Sequence, residues 1–231
     1  MITLKDKILS KVTKPTRYTG GELNAVMKDP KTVDIRFGFC FPDVYEIAMS
    51  HLGLKIIYHT LNTRPDTYCE RVFAPWDDME QEMRKYDMPL FALETGDAVT
   101  HFDMLGFTLQ YELSYSNIVN MLDLAKIPVL AEERGEEYPI IYGGGPCAYN
   151  AEPVADIFDF FMLGEGEEQV HETMDVLKEW KKDGKKSKKQ LLERLVKIDG
   201  IYVPSFYDVE YTEKGTVKSI TPNNPMHPKK Y

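Results

Sequence analysis

Between Tyr138 and Glu168 the chain reads YPIIYGGGPCAYNAEPVADIFDFFMLGEGEE. One short apolar run ends in Gly143-Gly144-Gly145. A second, Ile157 to Leu163, ends in Gly164-Glu165-Gly166-Glu167, and a helical pattern starts at once. Strand, glycine turn, strand, glycine turn, helix is how a parallel α/β sheet presents backbone to a bound molecule. Glycine lets the main chain turn sharply and approach a ligand closely. A ligand of such a sheet sits at the carboxyl ends of its strands.

The same alternation runs upstream. Thr32 to Phe39 reads as a strand, Phe41-Pro42-Asp43 as a turn, and Asp43 to Asn62 as one long helix, apolar over most of its circumference. Thr67 to Phe73 is a second strand. A helix follows with Asp77 as N-cap and Glu80 three residues on, a capping-box spacing. Leu90 to Leu93 is a candidate short strand and Phe102 to Leu109 a stronger one. Glu112 to Ala125 is a helix with Leu113, Val119, Leu122 and Leu124 as core candidates, and Glu165 to Trp180 is the helix after the last glycine turn. Repeated strand–helix units predict an α/β fold: a flavodoxin-like or cobalamin-binding-like parallel sheet of about five strands, with helices on both faces.

The remainder frames this unit. Residues 1–30 read as a leader packing on the domain, with Ile2, Leu4, Ile8, Leu9 and Val12 at helical spacing. Residues 31–180 form the Rossmann-like domain. Residues 181–220 read as a helix and β-hairpin appendage, its hairpin turning at Glu213-Lys214-Gly215. Residues 221–231, with three prolines, read as a linker towards a further domain.

Charge and cysteine usage narrow the function classes. The net charge of −9 argues against a nucleic-acid-coating surface, and the run Lys181 to Lys189 lacks aromatic residues or arginines to stack on bases. The chain has three cysteines, Cys40, Cys69 and Cys147, too far apart for a zinc ribbon or a disulfide framework. No signal-like or membrane-length apolar run occurs, so a cytoplasmic location is expected.

Several segments together carry a resemblance: KPTRYTGGELN (14–24), FPDVYEIAMSHLGLKIIYHTLN (41–62), CERVFAPWDDME (69–80), FALET (91–95), FDMLGFTLQYELSYSNIVNMLDLAKIP (102–128), YGGGPCAYNAEP (142–153), FMLGEGEE (161–168) and GIYVPSFYDVEY (200–211). The set resembles the N-terminal part of a family of bacterial radical SAM proteins, in which a cobalamin-binding-like Rossmann domain precedes the radical SAM barrel. The resemblance implies a barrel partner in the same polypeptide, with S-adenosylmethionine and an iron–sulfur cluster held there. The cluster-binding CxxxCxxC is absent from this chain, so this part is expected to be a non-catalytic module that binds or shields a cofactor or substrate. Cobalamin is the implied candidate. Proteins that hold cobalamin through histidine carry DxHxxG after the first strand. Here Met49-Ser50-His51-Leu52-Gly53 lacks the aspartate, and its glycine falls one residue early. Radical SAM relatives can hold cobalamin without that histidine. Two other readings stay open: a docking module without a ligand, and a flavin or nucleotide enzyme, which the missing phosphate loop disfavours.

The candidate ligand-facing residues are those that follow strands. Pro42, Asp43 and Glu46 follow the first, with helix capping as the plainer role for Asp43. His51 shares a polar helix stripe with Lys55, His59 and Asn62, solvated or ligand-facing. Glu94, Thr95, Gln110 and Tyr111 follow later strands, together with Gly143, Gly144, Gly145, Gly164, Glu165 and Gly166. All are expected to converge on one sheet edge, with positive φ at Gly144. Glu165 and Glu167 at a helix start would repel a phosphate. Arg71 is expected to pair with an acid at the surface, and Trp76 to be a core or lid residue.

Overall fold

The computed structural model describes residues 4–184, 187–225 and 227. Five parallel strands and one antiparallel strand build the main sheet: β1 (Ile35–Phe41), β2 (Thr67–Phe73), β3 (Met104–Thr108), β4 (Ile140–Gly144), β5 (Phe160–Met162) and β6 (Ile201–Tyr202), in the order β2-β1-β3-β4-β5-β6. The first five follow the flavodoxin-like order, as expected. β1 is buried along its length except at Arg36, as a central parallel strand covered on both faces must be.

The helices are α1 (Leu4–Leu9), α2 (Tyr45–Ser50), α3 (Leu52–Thr63), α4 (Asp77–Lys85), α5 (Tyr115–Leu124), α6 (Gly166–Lys182) and α7 (Lys188–Leu195). α3 packs on α6, whereas α4 packs on α1 and α5. The chain steps from β1 outward to β2, then back past β1 to β3. Right-handed crossovers in opposite directions put α3 and α4 on opposite faces. The switch in direction leaves a crevice at the carboxyl ends of β1 and β3.

The outer edge of β2 is closed by side chains and a loop. Lys28 Nζ donates to Thr67 O at 2.6 Å. The Asn62 amide takes Cys69 N–H at 3.1 Å and gives to Cys69 O at 3.0 Å. At Arg71 the Glu94 carboxylate accepts the N–H at 2.7 Å, and Leu93 N–H donates to the carbonyl at 2.8 Å. An open parallel edge would otherwise invite pairing with another chain. The expected short strand at Leu90–Leu93 is therefore not a strand. It makes one isolated bridge, Phe91 to Ala98, and serves as this cover.

Other local expectations shift. Asp77 is not the N-cap of α4; Trp76 holds that position without a side-chain cap, and Asp77 lies in the first turn. Trp76 is half exposed, with the Arg17 guanidinium 5.1 Å from its ring centre. Leu122 and Leu124 are buried, but Val119 lies on the exposed face of α5, and Leu113 is exposed where residues 112–114 form a 3-10 turn. Arg71 is not a surface group but 4 % exposed. Within 181–220, α7 buries Leu191, Leu192 and Leu195, and β6 joins the main sheet. Strands β7 (Tyr207–Tyr211) and β8 (Val217–Pro222) pair as a separate hairpin, with Gly215 at φ 76° in its turn. The expected leader residue Ile2 and residues 226 and 228–231 of the expected linker lie outside the described residues, and the linker's first two residues belong to β8 instead.

Candidate functional site

A cleft of about 190 Å³ opens at the carboxyl ends of β1, β3, β4 and β5. Phe39, Phe107, Tyr142 and Met162 come to it from the strands, and Ile56, Ile57 and Val170 from α3 and α6. Gly144, Gly145, Gly164 and Gly166 supply bare backbone, and Thr108, Gln110, His51 and Glu167 supply polar groups.

The polar side is ordered by a break in the helix that the sequence reading joins. Residues 43–62 do not form one helix: the chain leaves the helical region at His51 (φ −80°, ψ 121°) and starts again at Leu52. His51 therefore shares no stripe with Lys55 and His59. Its Nδ1 accepts the Leu54 N–H at 3.3 Å, capping α3. With Nδ1 an acceptor, the neutral ring carries its proton on Nε2, which donates to Gln110 Oε1 at 3.1 Å. Gln110 Nε2 in turn donates to Thr108 Oγ1. Both ring nitrogens of His51 are thus engaged within the protein, and its ring packs on Phe41 at 5.3 Å between centroids.

The glycines divide by role. Gly145 has φ 111°, a conformation that favours glycine, and a Cβ there would lie 3.1 Å from Leu109 O. The positive φ expected at Gly144 belongs to this neighbour. Gly144 ends β4, and a Cβ on it would make only ordinary contacts, 3.6 Å or more, so what a side chain would occupy is the cleft. Gly143 faces the core instead: a Cβ would sit 2.8 Å from Leu109 Cδ1. Gly164 turns with φ 107° before α6. Gln169 Nε2 holds that turn, donating to Leu163 O and Asp199 O at 2.9 Å each.

The remaining candidates lie off the cleft. Asp43 does not cap α2, whose N-cap is Val44. Its Oδ1 accepts from Val44 N–H at 2.7 Å and its Oδ2 from Tyr111 OH at 3.0 Å, tying the turn at Pro42 to the one after β3. Glu46 pairs with Lys14 and Arg17 of the leader. Burial works to raise its carboxyl, but hydrogen bonds from Arg17 and Lys14 prevail and bring it down to about 2. Glu165 holds the N-cap position of α6 with no capping bond. Glu94 and Thr95 do not join the convergent edge. Glu94, with its side chain 1 % exposed, grips Arg71 Nε at 2.6 Å, and Arg71 also pairs with Glu22 at 2.8 Å. Thr95 Oγ1 donates to Glu70 Oε2 at 2.5 Å, and Glu70 binds Arg36. Sequence reasoning looked just past each strand and so missed Phe39, Thr108, Tyr142 and Met162, which lie at or within the strand ends. Glu167 and Val170 were legible as the first turn and a half of α6.

A family model described as radical SAM proteins, N-terminal, matches residues 53–204. The chain belongs to this family. An uncharacterized protein of Methanocaldococcus jannaschii is 30 % identical over 141 residues, 60 % of this chain. The chain spans only 25 % of that relative's length. No solved structure matches the chain. This radical SAM N-terminal module has no helix, among the described residues, long and apolar enough to cross a membrane. Cys40 and Cys69 are buried, and burial pushes their thiols far up. No group of metal-ligating side chains gathers among the described residues.

Proposed function

We propose that this module holds a small planar cofactor or substrate in the cleft and presents it to the linked radical SAM domain of the whole protein. The observation that carries the reading is the cleft itself: glycine backbone and aromatic side chains brought together at the strand ends, where sheets of this order take ligands. Its size supports a single flat ring system or one edge of a larger molecule, since pockets for whole drug-sized ligands run to roughly 300–1,000 Å³. Glu167 on the wall disfavours a phosphate. The mouth is flanked in sequence by Leu52, Leu113 and Tyr149, 68, 86 and 72 % exposed. Exposed apolar groups of this kind suit a partner surface, and we read them as facing the linked domain.

Cobalamin fits these residues under one condition. Both His51 nitrogens are engaged, so cobalt would take no histidine ligand from this chain. Bound cobalamin would supply a cobalt centre; the module's residues would hold and orient the molecule. The test is an absorbance titration with hydroxocobalamin. Wild type and His51→Ala should bind with closely similar spectra, and Gly144→Val should weaken binding at least tenfold by filling the cleft. A histidine-type axial-ligand spectrum lost in His51→Ala would overturn the ligand assignment. Undiminished binding to Gly144→Val would move the site elsewhere.

A further inference from the structure

We infer that Gln110 reads an amide edge on the cleft's occupant: an N–H and a C=O side by side, as in a cyclic imide or lactam or a primary amide. The inference rests on the cleft being a ligand site. The capping bond from Leu54 N–H to His51 fixes the histidine proton on Nε2, and this in turn fixes which end of the Gln110 amide faces His51. Gln110 Oε1 accepts from His51, and Nε2 donates to Thr108. A glutamine amide has two hydrogens and two lone pairs. One of each is used inside the protein, so one donor and one acceptor remain on a half-buried side chain in the cleft wall. Oε1 and Nε2 lie side by side on one amide plane. An amide edge satisfies both at once, in the way that a paired donor and acceptor on a base edge meets glutamine and asparagine. The apolar floor of Phe39, Phe107 and Met162 suits the flat body that carries such an edge. His51 and Thr108 hold the amide in place, so it meets a ligand without losing much rotamer freedom.

Two sources share this chemistry, a heterocycle with an imide edge and a corrinoid bearing primary amides. Three probes separate them: lumiflavin, with an imide N–H between two carbonyls; hydroxocobalamin, with primary amides; and benzimidazole, flat but with no amide edge. Affinities are measured for wild type, Gln110→Leu and Gln110→Glu, with thermal unfolding of each variant. Gln110→Glu still accepts from His51 but lacks the donor, which guards against a fold defect in Gln110→Leu. The expected result is a roughly tenfold loss for lumiflavin or hydroxocobalamin in Gln110→Glu, the worth of about one hydrogen bond, and a loss at least as large in Gln110→Leu, with benzimidazole unchanged. Which probe responds names the source. Blocking the edge as 3-methyllumiflavin should cost wild type a similar factor if the heterocycle is the source. Equal affinity of the amide-bearing probes for all three proteins overturns the inference, as does a parallel loss for benzimidazole. Wild type that binds benzimidazole competitively with Gly144→Val sensitivity, but neither amide-bearing probe, also overturns it and leaves the cleft reading standing. Binding of no probe overturns both.

Discussion

At the scale of single residues, neighbouring glycines in one turn separate backbone need from ligand space. Gly145 sits at φ 111°, with Leu109 O 3.1 Å from where a Cβ would be. Gly145→Ala should therefore destabilise the fold by about 1–3 kcal/mol, the usual cost of a non-glycine residue held in a sparsely populated conformation. Gly144 has neither constraint, so Gly144→Val should change the unfolding temperature much less than Gly145→Ala while it fills the cleft. Thermal unfolding of the two variants side by side checks the ordering; equal losses would mean that Gly144 also carries backbone strain. The run of three glycines was visible in the chain, but which of them turns, which packs and which faces the cleft was not. That depends on Leu109 and Phe161, which lie on other segments.

Among the elements, β2 depends most on groups from elsewhere. Its edge is closed by Lys28, Asn62 and the 93–94 segment, and Arg71 sits between Glu94 and Glu22. Removing one partner of a buried ion pair leaves the others unpaired in a poor solvent, at about 3–5 kcal/mol. Arg71→Met should lower stability by that amount in denaturant titration. It should also loosen the leader, whose Glu22 it releases, and faster proteolysis within residues 14–28 would report this. A loss under about 1 kcal/mol would show that the cluster is solvated. The α2–α3 break at His51 belongs to the same scale. Helical spacing ran on through residues 43–62, but His51 finds a backbone N–H to cap and Gln110 to bond, and these hydrogen bonds outweigh continuity of the helix.

For the whole molecule, acid should act through carboxylates tied to cations across elements. Burial works to raise the Asp66 carboxyl, but Lys178 at 2.6 Å, Arg64 at 3.0 Å and Thr67 hold it well below the ordinary range. Glu46, at about 2, ties the leader to α2. Both groups bind protons more weakly folded than unfolded. Their contribution is therefore complete above the unfolded values of about 4 and is lost as pH falls towards the folded ones. Stability measured from pH 6 to 2 should fall mainly below about 4; a flat profile there would rule these pairs out as contributors. The cysteines give a second expectation. Anaerobic reconstitution with iron and sulfide should leave this chain without a stoichiometric cluster, and it should form no 5′-deoxyadenosine from S-adenosylmethionine; iron retained with turnover would contradict both. What the sequence determined by itself was the α/β alternation and the parallel sheet, because periodicity and glycine turns are local properties of the chain; the radical SAM kinship rested on the resemblance of whole segments such as FMLGEGEE (161–168). What only the tertiary structure decided was the site: Glu94 and Arg71 turned inward to close an edge, Leu113 turned outward, and His51, Gln110 and Thr108 met across separations of up to 59 residues. The Glu94–Arg71 and His51–Gln110 outcomes rest on pairing of buried or half-buried polar groups whose partners lie far away along the chain.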